Sequence, residues 1–256
     1  MTMKIITLLT DFGSFYPAQM KGVILSRLKE KGGARAKDGI IFVDITHDIP
    51  PQDVRAGAFA LLSSVRSFPS GTIHIAVVDP GVGTSRAGLV VESGGQLFVG
   101  PDNGLLLPAA KALGVPRAHR IACSFEASNT FHGRDIFAPV AALLAEVSSP
   151  ASIGPRMRPK DLAFGEARKT EGGIEATIIY VDRFGNLILN LRKLPAFDVR
   201  LKGIRLKKAR TYAEGHRIEP LIILGSHGFA EIAVNQGSAA EAFRLKAQDR
   251  IELEEI

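Results

Sequence analysis

The sequence predicts an α/β N-terminal domain followed by a mainly β, barrel-like C-terminal domain. Three observations carry this. Apolar, β-branched runs alternate with helix-period stretches through the first two-thirds of the chain. A turn-rich segment follows near 150–173. Beyond it come short strand-like runs separated by glycine turns. These place the N-terminal domain at 1–165 and the C-terminal domain at 172–256.

The elements follow in order. Ile5-Ile6-Thr7-Leu8-Leu9 reads as a buried strand. Met20, Val23, Ile24 and Leu28 recur at helical spacing, predicting a helix over 18–31. Residues 40–45 form a second strand. Val54, Ala58, Leu61 and Leu62 share one stripe of a helix over 53–65, started by Gln52 or Asp53 after Pro50-Pro51. A strand at 73–78 follows. The runs 89–92 and 96–99 flank Ser93-Gly94-Gly95 as a hairpin. A helix over 105–113 ends at Gly114 and Pro116, and a long apolar helix covers 136–147. In the second domain, strands are expected at 174–181, 187–190, 199–206, 221–224, 231–234 and 250–253.

The chain has 256 residues, 46% of them hydrophobic, enough for a sizeable core. It contains no apolar run long enough for a membrane span. The apolar run after Lys4 is too short, and too soon met by Asp11, for a signal peptide. Cys123 is the one cysteine, which excludes an internal disulfide and a cysteine-based zinc site. A lone thiol suits a reducing cytoplasm. The formal net charge is +6, but the basic residues are scattered: Lys29, Lys31, Arg35 and Lys37, then Arg192-Lys193, then 200–210. The last run has no interleaved aromatics to stack bases, so it reads as a solvated face and no nucleic-acid partner is expected.

Three polar segments carry chemistry: Thr10-Asp11-Phe12-Gly13, Asp79-Pro80-Gly81-Val82-Gly83-Thr84-Ser85-Arg86, and Phe131-His132-Gly133-Arg134-Asp135. Asp11 and Asp79 each end a buried strand, where open α/β sheets place their ligands. Asp44, His47 and Asp48 fall at the same sheet edge. Taken alone, each segment also has a plain structural reading. Asp-Pro-Gly is turn chemistry, Arg86 a surface charge, His132 a packed histidine, and Arg134-Asp135 an ion pair at a helix start. Asp182-Arg183-Phe184-Gly185-Asn186 and Ser226-His227-Gly228-Phe229 serve equally as turns. Asp11-Phe12-Gly13 shares its letters with the kinase metal-binding tripeptide but has no Gly-rich loop or strand lysine before it. Gly81-Val82-Gly83 lacks the remaining residues of a dinucleotide fingerprint or a P-loop.

Together these segments resemble the S-adenosyl-L-methionine hydroxide adenosyltransferases, in the superfamily that also holds the fluorinase and chlorinase. The matching strings are Leu8-Leu9-Thr10-Asp11-Phe12-Gly13, Met20-Lys21-Gly22-Val23-Ile24, Val77-Val78-Asp79-Pro80-Gly81-Val82-Gly83, Gly100-Pro101-Asp102-Asn103-Gly104-Leu105, Thr130-Phe131-His132-Gly133-Arg134-Asp135, the Asp182 to Asn186 string, and the run from Glu231 to Ala240. They span nearly the whole chain in family order. The resemblance implies attack of water-derived hydroxide on C5′ of S-adenosylmethionine, giving adenosine and L-methionine with no cofactor and no metal. It maps the water-activating set onto Asp79, Arg86 and His132. It gives Asp11 the ribose hydroxyls, Asn186 the adenine, and Phe184 and Tyr212 the purine faces. Asp182 and Ser226 fall at the methionine end, Val234 and Gln236 at the adenine edge, and Tyr16 among the substrate-binding positions. It implies a homotrimer with each site between one subunit's first domain and its neighbour's second. One departure stands out: Ser14-Phe15-Tyr16-Pro17 is shorter than the family's loop and lacks the acid before its Pro-Tyr.

The physical case is independent. A sulfonium is already a good leaving group, so the task is to place a weak nucleophile in line with the C5′–S bond. Arg86 would stabilise hydroxide, and His132 or Asp79 would accept the proton. Asp79 argues against a halogenase, because a carboxylate repels a halide. Two other readings compete. One is a metal-dependent phosphoester or nucleoside hydrolase using Asp11, His47, Asp48, His132 and Asp135. The other is a non-catalytic S-adenosylmethionine or adenosine-binding protein.

Overall fold

The computed structural model describes residues 3–30, 39–147 and 149–256. Lys31, Arg35 and Lys37 of the basic stretch lie outside the described residues, as do Met1, Thr2 and Ser148. The chain divides into two compact units, Met1–Leu162 and Ala163–Ile256.

The first unit is built on a mixed sheet. Its strands are β1 (Lys4–Thr10), β2 (Ile40–Thr46), β3 (Ile73–Val77), β4 (Gly88–Ser93), β5 (Gln96–Pro101) and β6 (Arg117–Arg120), in the order β2-β1-β3-β5-β4-β6. β2, β1, β3 and β5 run parallel, while β4 is antiparallel to both β5 and β6. Side chains alternate across the strands, so both faces of this apolar sheet need cover. On one face Ile6, Leu8, Ile75 and Val99 meet Met20 and Ile24 of α1 (Phe15–Glu30) and Val140 and Leu144 of α4 (Ala138–Val147). On the other, Gly57 brings α2 (Val54–Ser64) down onto Leu9 and Val78, and α3 (Leu107–Leu113) packs beside it. Asp53 caps α2 by accepting from Ala56 N–H at 2.9 Å.

β1 lies between β2 and β3, so the chain leaves it in opposite directions along the sheet. Open α/β sheets place their ligands at such a switch point, outside the carboxyl ends of the strands, here β1 and β3. Asp11 directly follows β1, and Asp79 follows β3 by one residue.

The second unit is a β-barrel. β8 (Gly173–Val181), β9 (Leu187–Leu189), β10 (Val199–Leu201), β11 (Ile204–Lys208), β12 (Pro220–Leu224), β13 (Ala230–Val234) and β14 (Arg250–Glu255) form its wall. β14 pairs with both β10 and β8, which closes 7 strands into a ring among the described residues. β7 (Arg168–Lys169) adds outside on β8. Ile178, Leu187, Leu189, Val199, Ile222, Ile232 and Leu253 fill the interior, helped by Phe243 from α5 (Ala239–Phe243).

The expected layout differs from this in four places. The single strand expected over 199–206 is a hairpin, because Lys202 and Gly203 take φ of +50° and +79° and turn the chain. β6 is too polar in sequence to read as a strand, yet its Ala118 and His119 are buried. α5 is too short to show a helical period, and Ser238 caps it through Glu241 N–H. The apolar helix at 136–147 is preceded by a wide turn over Gly133–Phe137, where Ala138 N–H reaches Gly133 O. Such turns are frequent at functional sites. Among the described residues no helix is long and apolar enough to cross a membrane.

Candidate active site

Asp79 and Arg86 bracket the loop that leaves β3. Thr84 Oγ donates to Gly81 O at 2.7 Å inside it. Gly83 holds φ of +77°, and a Cβ there would fall 2.4 Å from Asn129 O, so only glycine allows this approach. The loop folds Arg86 back onto Asp79. Arg86 Nε donates to Asp79 Oδ1 at 2.9 Å, and a terminal nitrogen donates to Oδ2. The side chains are 8% and 4% exposed, making a buried two-point ion pair. The other terminal nitrogen donates to Ala87 O, and the guanidinium lies 5.3 Å from the Phe137 ring centroid.

His132 stands at the entry to the wide turn. Its Nδ1 is 2.8 Å from an Arg86 terminal nitrogen. Guanidinium groups only donate, so Nδ1 is the acceptor and the hydrogen of the neutral ring sits on Nε2. Burial lowers the His132 pKa below the ordinary histidine value, and the Arg86 charge lowers it further against the opposing pull of Asp79 and Asp135. Asp135 is held by Arg134 Nε at 2.6 Å and Ser128 N–H at 2.9 Å, and the Arg134 bonds keep its carboxyl below the usual range.

Asp11 sits on the neighbouring strand end. Its Oδ2 accepts from Gln52 N–H at 2.7 Å. Gln52 reaches it with φ of +64°, a left-handed backbone in a non-glycine residue. Beneath it Thr10 Oγ is 2.9 Å from His47 Nδ1, and His47 Nε2 is 3.1 Å from Asp44. Burial works against ionisation of Asp44, but hydrogen bonds from Lys21 and His47 prevail and lower its pKa. Tyr16, in the first turn of α1, lies edge-on to Phe12 and Phe131. These rings, with Gln19 and Arg134, line an open cavity of about 410 Å³.

Among the described residues no three His, Cys, Asp or Glu side chains gather as a cation-binding group. His47 is taken up by Thr10 and Asp44, and Asp135 by Arg134 and Ser128.

In the barrel unit, the turn between β8 and β9 is organised by Asp182. Its Oδ1 accepts from Phe184 and Asn186 N–H, and its Oδ2 from the Asn186 side-chain amide, each at 2.9 Å. The Asn186 amide is thereby oriented, with its Oδ1 as the remaining acceptor. Asn186 is buried, while Phe184 is 71% and Tyr212 46% exposed, unusual for rings of this size. Ser226 is exposed in the β12–β13 turn. Val234 ends β13, and Gln236 follows it with φ of +56°.

Family profiles for the SAM hydroxide adenosyltransferase N-terminal and C-terminal domains match residues 6–154 and 176–252. The chain belongs to the SAM hydroxide adenosyltransferase family. An (R)-S-adenosyl-L-methionine hydrolase of Thermus thermophilus is 40% identical over 95% of this chain and 97% of its own. Another, from Methanocaldococcus jannaschii, is 34% identical over 98% of this chain and 96% of its own. The crystal structure of an uncharacterized conserved protein from Thermotoga maritima superposes with a TM-score of 0.83. It is 34% identical and covers 97% of this chain and 99% of that one.

In this member of the family two residues escape sequence reasoning. Gln52 acts through its backbone N–H, which no side-chain pattern announces. Glu231 does leave a signal: it is a lone acid inside the apolar strand Ala230–Val234, and it is 3% exposed. Its partners, Tyr212 and His227, come from two different loops.

Proposed function

We propose that this protein hydrolyses S-adenosyl-L-methionine to adenosine and L-methionine. The observation that carries the reading is the buried Asp79–Arg86 pair joined to His132 Nδ1, at the same switch point of the sheet as Asp11. Water oxygen attacks C5′ and the C5′–S bond breaks. Its electron pair passes to sulfur, which leaves as the neutral thioether of methionine. The water proton passes to Asp79 and then to solvent. His132 Nε2–H donates to the attacking oxygen, and the Arg86 charge favours hydroxide. Because the leaving group departs neutral, the step needs neither a general acid nor a metal, and no cofactor is given a part. Asp11 takes the ribose hydroxyls, with one oxygen steadied by Gln52. Asn186 Oδ1 accepts from the adenine amine, Phe184 and Tyr212 supply ring faces, Val234 and Gln236 offer backbone to the adenine edge, and Tyr16, Asp182 and Ser226 belong to the amino-acid end. We further read the protein as a cytoplasmic homotrimer, in which one subunit's first unit is completed by its neighbour's second.

The test is incubation with S-adenosylmethionine in heavy-oxygen water, with and without a chelator. Adenosine and methionine should form in equal amounts in both, with the label at the ribose 5′-oxygen. Unlabelled adenosine would rule out water attack at C5′. Activity lost to chelation and restored by a divalent ion would move the case to the metal-dependent reading.

A further inference from the structure

Glu231 is a buried carboxylate for which the proposed reaction has no use. It sits in β13 opposite Ile223 of β12 and Ile188 of β9. Paired residues in a ladder point to one face, so Glu231 leaves the barrel wall on the outer side. Ile232 and Val234 alternate with it and fill the interior. A carboxylate buried beside isoleucines is costly unless both oxygens are satisfied.

Both are satisfied, and by groups that sequence does not pair. Oε1 accepts from the Tyr212 hydroxyl. Tyr212 opens the short turn Tyr212–Glu214 between β11 and β12. Oε2 lies 2.9 Å from His227 Nε2, in the turn between β12 and β13 next to Ser226. Phe229 N–H donates to His227 Nδ1 at 3.2 Å, so Nε2 bears the ring hydrogen and donates to Glu231. Glu231 therefore ties two loops at one point. A Cβ on Gly225 would lie 2.5 Å from the His227 ring and 2.6 Å from the carboxylate, so the backbone is pressed against this junction. Burial, the hydrogen bond to Glu231 and the charges of Glu231 and Asp182 push the Tyr212 phenol well above the ordinary tyrosine value, so it stays a donor.

We propose that Glu231 is a positioning residue that fixes Tyr212 and the Ser226-His227 turn as two walls of the substrate subsite on the barrel unit. This rests on the roles given above to Tyr212 and Ser226. Two donors require two acceptors, which a carboxylate offers and an amide does not. In Glu231→Gln one oxygen still accepts from His227, but the amide then faces Tyr212, whose hydroxyl must turn to accept. Glu231→Leu removes both holds and fills the space with apolar atoms.

The kinetic constants, thermal midpoint and adenosine affinity of both variants test this. Glu231→Gln should raise KM for S-adenosylmethionine about tenfold, the loss of one charged hydrogen bond, with kcat changed less than about twofold. Glu231→Leu should raise KM at least as much, and should also lower the thermal midpoint, because the Tyr212 hydroxyl and His227 Nε2–H lose their acceptor. Absorbance titration adds a readout independent of turnover. The chain has 3 tyrosines, and the Tyr212→Phe difference isolates this one. In the parent protein Tyr212 should titrate well above the ordinary tyrosine value, and in Glu231→Gln it should titrate lower than in the parent, with burial and Asp182 still holding it up. Unchanged KM in both variants would overturn the proposal, as would lowered thermal midpoints with intact kinetics, the mark of a purely structural residue. Should the parent protein bind adenosine but release none from S-adenosylmethionine, the hydrolase reading falls. The clamp is then decided by adenosine affinity, weakened in both variants if it stands and unchanged if it does not.

Discussion

At Asp79 both carboxylate oxygens meet one guanidinium, and in the proposed reaction this bears on which group takes a proton from water. Arg86 has no lone pair to offer. His132 spends Nδ1 on Arg86 and carries hydrogen on Nε2. Each Asp79 oxygen keeps a second lone pair, so in the proposed reaction Asp79 is the acceptor and His132 the donor that holds the nucleophile. Protonating His132 would require Nδ1 to give up Arg86. With its pKa lowered by burial and then by Arg86, the neutral ring persists below pH 6.5, and activity is lost only as pH falls through the lowered value. The acid limb of kcat/KM attributable to His132, seen by comparison with His132→Gln, should therefore lie below pH 6.5. A limb at or above that pH would contradict the Nδ1–Arg86 bond in the working enzyme. The same carboxylate that accepts a proton repels a halide in a site this dry. Incubation with chloride or fluoride should give no 5′-halogenated nucleoside by chromatography, and a clear halogenated product would favour a halogenase. Asp11 and Asp79 were legible as acids ending apolar runs. Gln52 was not, because its contribution is a peptide N–H placed by an unusual φ.

At the scale of elements, three strands are tied by a polar chain inside the first unit. Thr7 of β1 lies 2.7 Å from His74 Nδ1 of β3, and His74 Nε2 lies 2.9 Å from Gln96 Oε1 of β5. The Gln96 amide donates to Val65 O and Phe68 O, which leaves its oxygen to accept from His74. Burial presses the His74 pKa down to about 4, against the Gln96 hydrogen bond. The folded value is thus below the unfolded one. The stabilisation is complete above pH 6.5 and is lost as pH falls from 6.5 to about 4, amounting to about 3 kcal/mol. Urea unfolding of the parent protein and of His74→Gln at pH 7 and pH 4.5 should show the parent losing more stability on acidification. Equal losses would mean that His74 is not buried as a neutral ring. The strands that carry this network read directly from their apolar runs. β6, α5 and the hairpin in 199–206 did not, since each depends on contacts rather than pattern: β6 on pairing with β4, α5 on a cap, and the hairpin on two residues with positive φ.

At the scale of the whole molecule, the proposed ligand residues fall into two sets. Asp11, Asp79, Arg86 and His132 belong to the first unit, and Asp182, Phe184, Asn186 and Tyr212 to the second. A heterologous contact that joins the two sets between neighbours and closes on itself gives a ring. Mixed assemblies of Asp79→Ala and Asn186→Ala chains should therefore regain activity, because one interface unites two intact halves. No recovery in verified mixed trimers would locate each site within one chain. The two-part architecture was legible from the change at about residue 150, where βα alternation gives way to short strands. The second unit's barrel-like character was legible too, but not which strands close the ring, because that depends on distant pairings such as Arg250 with Thr177. That pairing bears on how the chain emerges from a ribosome. Every strand of the sheet unit is made before the barrel begins, so the sheet can settle while synthesis continues. The cylinder cannot, because β14 holds two of its seams, against β8 and β10. Until that final strand is released, β8 and β10 present unpaired edges, which makes the nascent barrel the late and aggregation-exposed half of the protein.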